Sequence, residues 1–289
     1  MTPFLCLTDW STHMARNTLT GIGLLAVALG LAAPAAQAQG MRAKGAPIRA
    51  AVVSNYPPLE YKDPASGKLV GFDIDLGEAL AARLGSTIKW EETSFDQMMS
   101  SLATGRVDII LSGMTDIPAR RDAVRFIDYL KTGPQFYVLG ARATEFASTE
   151  ALCGKKVGAS RRTSFLAEIA KWSDAHCVKA GKPAIIVAGT DGSADARTQL
   201  RQGRLDAAVQ GGETLNYIFG QEPNTYALVG KPFAFQYVGL AIGRKDEALS
   251  TELAGAMDQL IADGSYAKIA AKWGLADYTV SKLILDSAD

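Results

Sequence analysis

Apolar positions recur with two different periods along this chain, and the switches between them divide it into elements. Ile48-Arg-Ala-Ala-Val-Val53 is a nearly continuous apolar run that predicts a buried strand. The loop after it, Ser54 to Tyr61, is held extended by Pro57 and Pro58. Asp63-Pro64 and Ser66-Gly67 predict a hairpin-like turn over 62–68. Asp73 is placed to cap a helix and Asp75 suits its positive end; Leu76, Ala79, Leu80 and Leu84 then keep helical spacing as far as Gly85. A strand over 87–91 follows, then a helix opening at Ser94-Phe95-Asp96, then a strand over 107–111. After a long apolar run over 126–141 the pattern restarts: strand 155–159, helix 165–172, strand 184–187, helix 194–202. A helix over 213–219, a strand over 237–243 and two helices over 248–263 and 266–273 complete the chain. Repeated β-α-β-α order predicts an α/β fold of mostly parallel sheets with covering helices.

The two runs echo one another. Leu102-Ala-Thr-Gly105-Arg106-Val107-Asp108 and Leu200-Arg-Gln-Gly203-Arg204-Leu205-Asp206 both pass from helix end through Gly-Arg-apolar-Asp into a strand, 98 residues apart (200 minus 102). Recurrence at the same point of two runs predicts two similar lobes. Lobe 1 is expected over 46–137 and 238–289 and lobe 2 over 138–237, with two crossings forming a hinge beside a cleft. Asp108 and Asp206 sit at strand starts and are read as local structural partners, not catalytic groups.

One stretch stands apart, Ser112-Gly113-Met114-Thr115-Asp116-Ile117-Pro118-Ala119-Arg120. It leaves the tip of a strand and enters a helix at Pro118, whose fixed φ and missing N–H suit a first turn. The loop presents backbone N–H groups, two hydroxyls and, at Arg120, a forked guanidinium, which is chemistry for gripping a carboxylate. A plain strand-to-helix turn whose arginine pairs with a surface acid is the competing reading.

Composition narrows the options. Formal charge is zero, with 30 basic and 30 acidic residues, and no basic stripe interleaved with aromatics appears, so nucleic acid is not an expected partner. Met14-Ala-Arg16, an apolar run over 22–33 and Ala36-Gln37-Ala38 read as a secretory signal peptide over 1–38, with 1–13 an upstream extension from a misassigned start. Its removal takes away one base (Arg16) and one acid (Asp9), so the mature chain stays neutral. The expected location is periplasmic. In that oxidising compartment the remaining Cys153 and Cys177 predict a disulfide worth on the order of 3 kcal/mol, against the alternative of two buried thiols. His176 alone remains after cleavage, which leaves little for imidazole catalysis or a multi-histidine metal site. No metal or cofactor is expected.

Taken in order, several segments resemble the periplasmic solute-binding proteins of polar amino-acid ABC transporters, bacterial extracellular solute-binding protein family 3. They are Tyr56-Pro57-Pro58-Leu59, Gly71-Phe72-Asp73-Ile74-Asp75-Leu76, Phe95-Asp96, the loop from Gly105 to Arg120, Val157-Gly158, the Leu200 to Asp206 echo and Ala262-Asp263-Gly264-Ser265-Tyr266. The resemblance covers roughly 46–275. It implies a two-lobed periplasmic-binding-protein type II fold with a two-strand hinge, and a monomer that captures a small carboxylate-bearing solute, an amino acid or derivative, for a membrane permease. By the same resemblance Arg120 holds the ligand's α-carboxylate. Ser112, Gly113, Met114 and Thr115 form the loop around it, Tyr56 packs on the ligand beside Phe95, and Thr163, Ser164 and Gln210 approach from lobe 2. For Tyr56 the alternative is a core residue beneath the proline loop.

Three positions depart from the family pattern. Arg162 stands where the lobe 2 loop carries glycine, Ile117 where threonine is usual, and Gly211 where an acid holds the ligand's ammonium. A buried ammonium without a partner costs several kcal/mol. Either Glu213 reaches in as a substitute, or the ligand lacks a free α-amino group, or it carries a second acid that Arg162 meets; a solvent-facing Arg162 is the alternative for that residue. A different class of function is an enzyme on the same fold, resembling exported cyclohexadienyl dehydratases, with Glu213 the one nameable proton donor.

Overall fold

The strands sort into two large sheets and a small three-stranded one in the computed structural model, which describes residues 45–161 and 163–287. The signal peptide and upstream extension expected over 1–38, and Arg162, lie outside the described residues.

The first half runs β1 (Ile48–Val52), β2 (Asn55–Tyr56), β3 (Glu60–Lys62), β4 (Leu69–Val70), α1 (Phe72–Arg83), β5 (Ile88–Glu92), α2 (Phe95–Ala103), β6 (Ile109–Ile110), α3 (Pro118–Arg121) and β7 (Val124–Thr132). The second runs β8 (Pro134–Leu139), β9 (Lys156–Ser160), α4 (Phe165–His176), β10 (Ile186–Thr190), α5 (Ser193–Arg201), β11 (Ala207–Gly211), α6 (Gly212–Gln221) and β12 (Tyr226–Val229). The chain then returns through β13 (Gln236–Gly243), α7 (Glu247–Ala262), α8 (Ser265–Lys272) and β14 (Thr279–Leu285) to the first sheet. Strand order is β14-β7-β13-β6-β1-β5 in one large sheet, β10-β9-β11-β8-β12 in the other and β2-β3-β4 in the small antiparallel one.

Both large sheets are mixed rather than mostly parallel. β5 and β6 flank β1 in parallel, as β10 and β11 flank β9, because each is delivered by a helical crossover. β7, β13 and β14 are antiparallel neighbours, as are β11, β8 and β12. The cause is the passage between halves: the apolar run over 126–141 is two strands, β7 and β8, broken at Gly133, and β13 comes back alongside β7 in the opposite sense.

Each large sheet has its own cores. Leu59, Phe72, Tyr129, Leu253, Met257 and Tyr266 pack in the first half, and Phe136, Val157, Ile169 and Val209 in the second. Burying each such side chain is worth about 1.5–3 kcal/mol. The echo has one structural meaning in both places. Asp108 accepts from Arg49 N (2.8 Å) at the start of β1 and pairs with the Arg49 guanidinium, while Asp206 accepts from Lys156 N (3.0 Å) at the start of β9 and pairs with Arg142. Each aspartate staples one strand start to its parallel neighbour. Cys153 and Cys177 are disulfide-bonded.

Asp73 does not cap α1. The N-cap is Gly71, at φ +143, where a Cβ would run into the carbonyl of Leu59. Asp73 is instead fully buried inside the first turn and points at the Ser112–Arg120 loop.

Candidate functional site

A cavity of about 410 Å³ lies against both halves, walled by the turns at the carboxyl ends of β1, β6, β9 and β10. Tyr56, Phe95, Ser112, Gly113 and Thr115 reach it from the first half, Thr163 and Gln210 from the second. Met114, Arg120, Ser164 and Glu213 do not line it.

The direction of the side chains along 112–115 explains part of this division. Gly113 and Thr115 face the cavity, while Met114 turns its side chain into the core with Met98, Val107 and Phe126. The segment is also less open than a free loop. Thr115 bridges Val238 of β13, Gly239 N donates to Met114 O (2.9 Å) and Asp116 N to Tyr237 O (2.9 Å). Gly113, at φ +58, donates its N–H to Asp73 Oδ2 (2.9 Å), and the Ser112 hydroxyl donates to Glu60 Oε1 (2.7 Å) while accepting from Val53 N (3.0 Å). Ser112 and the Gly113 N–H therefore hold the loop's shape. The Thr115 N–H has no acceptor among the described residues.

Arg120 stands one layer behind that wall. Its Nη1 donates to Thr115 O and to Thr115 Oγ1, both at 2.7 Å, and its guanidinium lies 5.7 Å from the Phe95 ring centroid. No carboxylate of a described residue forms an ion pair with it. Burial depresses its pKa, with the Asp116 charge opposing. The competing reading, an arginine paired with a surface acid, thus has no acid to name among the described residues. A half-buried guanidinium fixed to a cavity-wall threonine, with no carboxylate partner among the described residues, has the chemistry to pair with an anion.

Tyr56 packs over Gly113, where a Cβ would sit 3.0 Å from Tyr56 Cε1, and its hydroxyl donates to Glu213 Oε1 (3.1 Å) across the two halves. Thr132 donates to the other oxygen, Oε2. Glu213 is 3% exposed, and burial raises its pKa while the Thr132 and Tyr56 hydrogen bonds resist that rise. Its carboxylate folds back over Gly211 so closely that any Cβ on residue 211 would overlap both oxygens. Ser164 turns the other way: its hydroxyl donates to Gln236 Oε1 (2.7 Å). Thr163 donates to Ser160 O (2.8 Å) and accepts from Phe165 N (3.3 Å), which sets the start of α4.

Sequence reading missed two parts of this wall. The first is Glu60, 0% exposed yet against the cavity, with only its place in the proline loop to mark it. The second is the turn Thr190-Asp191-Gly192-Ser193-Ala194 between β10 and α5, together with Arg161, which pairs with Asp191 at 3.3 Å. That turn follows a parallel strand, so its position was a usable signal.

Comparison with known proteins gives a consistent picture. The family model for bacterial extracellular solute-binding proteins, family 3, matches residues 48–276. The L-arginine-binding protein of Pseudomonas aeruginosa is 30% identical over 234 residues, covering 78% of this chain and 87% of that protein. An ancestral arginine-binding protein bound to arginine superposes with a TM-score of 0.70 at 31% identity, covering 81% of this chain and 99% of that one. An ancestral amino acid-binding protein described as a precursor of cyclohexadienyl dehydratase has a TM-score of 0.67 at 29% identity, covering 79% and 95%. The chain belongs to the bacterial extracellular solute-binding proteins, family 3.

Proposed function

We propose that this chain is an exported, periplasmic receptor that captures an amino acid between its two halves and presents it, as a monomer, to the membrane permease of an ABC transporter. The observation that carries the reading is the Arg120 guanidinium: half-buried, tied to Thr115 and without an acid partner among the described residues. The ligand's α-carboxylate supplies the missing charge, with the Thr115 N–H and hydroxyl beside it. Glu213 supplies the opposite charge for the ammonium, because its carboxylate occupies the space that a side chain on Gly211 would take. Tyr56 and Phe95 flank the side chain of the ligand, and Thr163 and Gln210 complete the wall from the second half. The chain passes between halves at Gly133 and again between Val229 and Gln236, and bending there opens and closes the cavity.

A thermal-shift screen of the twenty amino acids and of dicarboxylates tests this. A ligand at 100 times its Kd adds about 2.7 kcal/mol to native-state stability. A screen in which no amino acid raises Tm rejects the reading. The enzyme reading has Glu213 as proton donor, and it predicts product from prephenate or arogenate. On the receptor reading both Glu213 oxygens accept hydroxyl hydrogen bonds and the carboxylate is the anion that meets the ammonium, not a proton donor, so we expect none.

A further inference from the structure

Beneath the Ser112–Thr115 segment lie two carboxyl groups that the binding reading does not use. Glu60 on β3 and Asp73 on α1 are both 0% exposed. Each employs one oxygen in holding the loop. Glu60 Oε1 accepts from the Ser112 hydroxyl (2.7 Å), and Asp73 Oδ2 accepts from Gly113 N (2.9 Å) and from the Tyr129 hydroxyl (2.9 Å). The other oxygen of each, Glu60 Oε2 and Asp73 Oδ1, is buried with no donor among the described residues. Their bonded oxygens anchor consecutive residues, Ser112 and Gly113, which sets the two carboxyl groups beneath the same stretch of backbone. Carboxylates only accept, so neither orphaned oxygen can serve the other unless one of them carries a proton. One proton accounts for both orphaned oxygens at once.

We propose that Glu60 and Asp73 share a single proton, and that this acid–carboxylate pair holds the Ser112–Thr115 segment in the form that receives a ligand's carboxylate. The titratable groups facing the pair are Tyr56 from β2, Tyr129 from β7 and Glu213 from α6, and none of them is a cation. A second negative charge there has nothing among them to offset it. Glu60 carries the proton: burial and the Asp73 charge push its carboxyl well above the ordinary range. Asp73 is raised only to about 6, because Gly113 N–H and the Tyr129 hydroxyl favour its anion. Loss of the proton sets two anions side by side under Ser112 and Gly113, loosens the anchors of both, and adds negative potential below the Thr115 N–H. Ligand binding then requires proton uptake, and affinity falls as pH rises.

The ligand half of this inference rests on the receptor reading; the proton does not, and the experiment separates them. Glu60→Gln reproduces the protonated acid, since its amide still donates to Asp73 and accepts from Ser112. Infrared spectra of the native protein at neutral pH should contain a protonated-carboxyl carbonyl band that Glu60→Gln removes. Calorimetry then follows whichever of the twenty amino acids raises native Tm most, from pH 5 to pH 8.5. Native affinity should fall by about tenfold per pH unit once the pair has lost its proton, and Glu60→Gln should stay flat. Asp73→Asn, whose amide can donate to Glu60 while its carbonyl serves Gly113 and Tyr129, should flatten the profile too. An unchanged band, or the same pH profile in native and both variants, overturns the proposal, as does failure of Glu60→Gln to fold. If no amino acid binds at any pH, the receptor reading falls and the infrared band alone decides the shared proton.

Discussion

Replacing Arg120 with methionine separates binding from folding, because the proposed receptor reading gives that residue a large part in the first and a small one in the second. Without ligand the guanidinium is half-buried, held by two hydrogen bonds from Nη1 to Thr115, and unpaired by any described carboxylate. Methionine forfeits those two bonds, each worth about 0.5–1.5 kcal/mol. It also removes a desolvated cation, and its thioether chain still covers Phe95. The two effects offset, so unliganded stability should move by no more than about 1 kcal/mol, which is roughly 2–4 °C in Tm for a domain of this size. Ligand affinity behaves differently. The carboxylate loses its charge partner in a water-poor cavity, a truncation that costs about 2–5 kcal/mol, or roughly 30-fold to several thousand-fold in Kd. Calorimetric titration with the amino acid chosen by the thermal-shift screen measures the second quantity, and scanning calorimetry of the free protein the first. Arg120→Lys should fall between, since it keeps the charge and loses the fork. Affinity within a factor of two of native would refute the anion-site role, and a Tm loss like that of a core truncation would show that Arg120 is a structural residue.

Three further outcomes are expected. Gly211→Ala places a methyl group where the Glu213 carboxylate lies, so ligand affinity should drop at least tenfold with little loss of secondary structure; calorimetry showing native affinity would remove Glu213 from the site. Reducing the Cys153–Cys177 bond opens a loop of sequence separation 24, which should cost on the order of 3 kcal/mol and lower Tm by roughly 6–12 °C. An unchanged Tm with both thiols titrating free would contradict this. Burial, aided by Asp116 and opposed by Arg121, pushes the Asp128 carboxyl up to about 7. The folded chain therefore keeps a proton that the unfolded chain releases near pH 4, and stability is lost as pH rises from about 4 to about 7. Asp128→Asn should escape that loss, its Tm advantage small at pH 4 and greatest above pH 7; parallel Tm profiles would refute it.

What the sequence made legible was periodic or punctuated. The β-α alternation, Pro118 at the start of α3, the Gly-Arg-apolar-Asp echo and the segment 112–120 all carry their geometry locally, and each lies where its pattern places it. Direction of pairing was not legible, since β7 and β13 become antiparallel through a passage between sheets that no local pattern marks. Nor was the inward or outward sense of individual side chains. Asp73 looked like a helix cap because it precedes an apolar helical stripe, yet Gly71 takes that place and frees Asp73 to reach Gly113. Met114 sits among cavity-lining residues in sequence and in the core in space. Ser164 neighbours Thr163, but one step along the backbone turns it toward Gln236.

On the proposed receptor reading, the exchange at position 211 is one that a residue-by-residue comparison misjudges. Aligned alone, glycine in place of an acid removes a charge. In space the charge is two residues away and occupies nearly the same volume, because β11 ends at Gly211 and α6 starts at Gly212. A side chain in the first turn of α6 can reach back over the end of β11 only if position 211 has none. Glycine at 211 and glutamate at 213 are thus one feature rather than two. The cross-half hydrogen bond from Tyr56 and the bond from Thr132 fix that carboxylate where a side chain on residue 211 would have ended. The same Tyr56 ring covers Gly113, directly above the Asp73 anchor. On the proposed receptor reading, placement of the ammonium acceptor and placement of the carboxylate loop therefore meet at one aromatic ring, and ligand geometry at both ends should depend on Tyr56 even though the tyrosine carries neither charge.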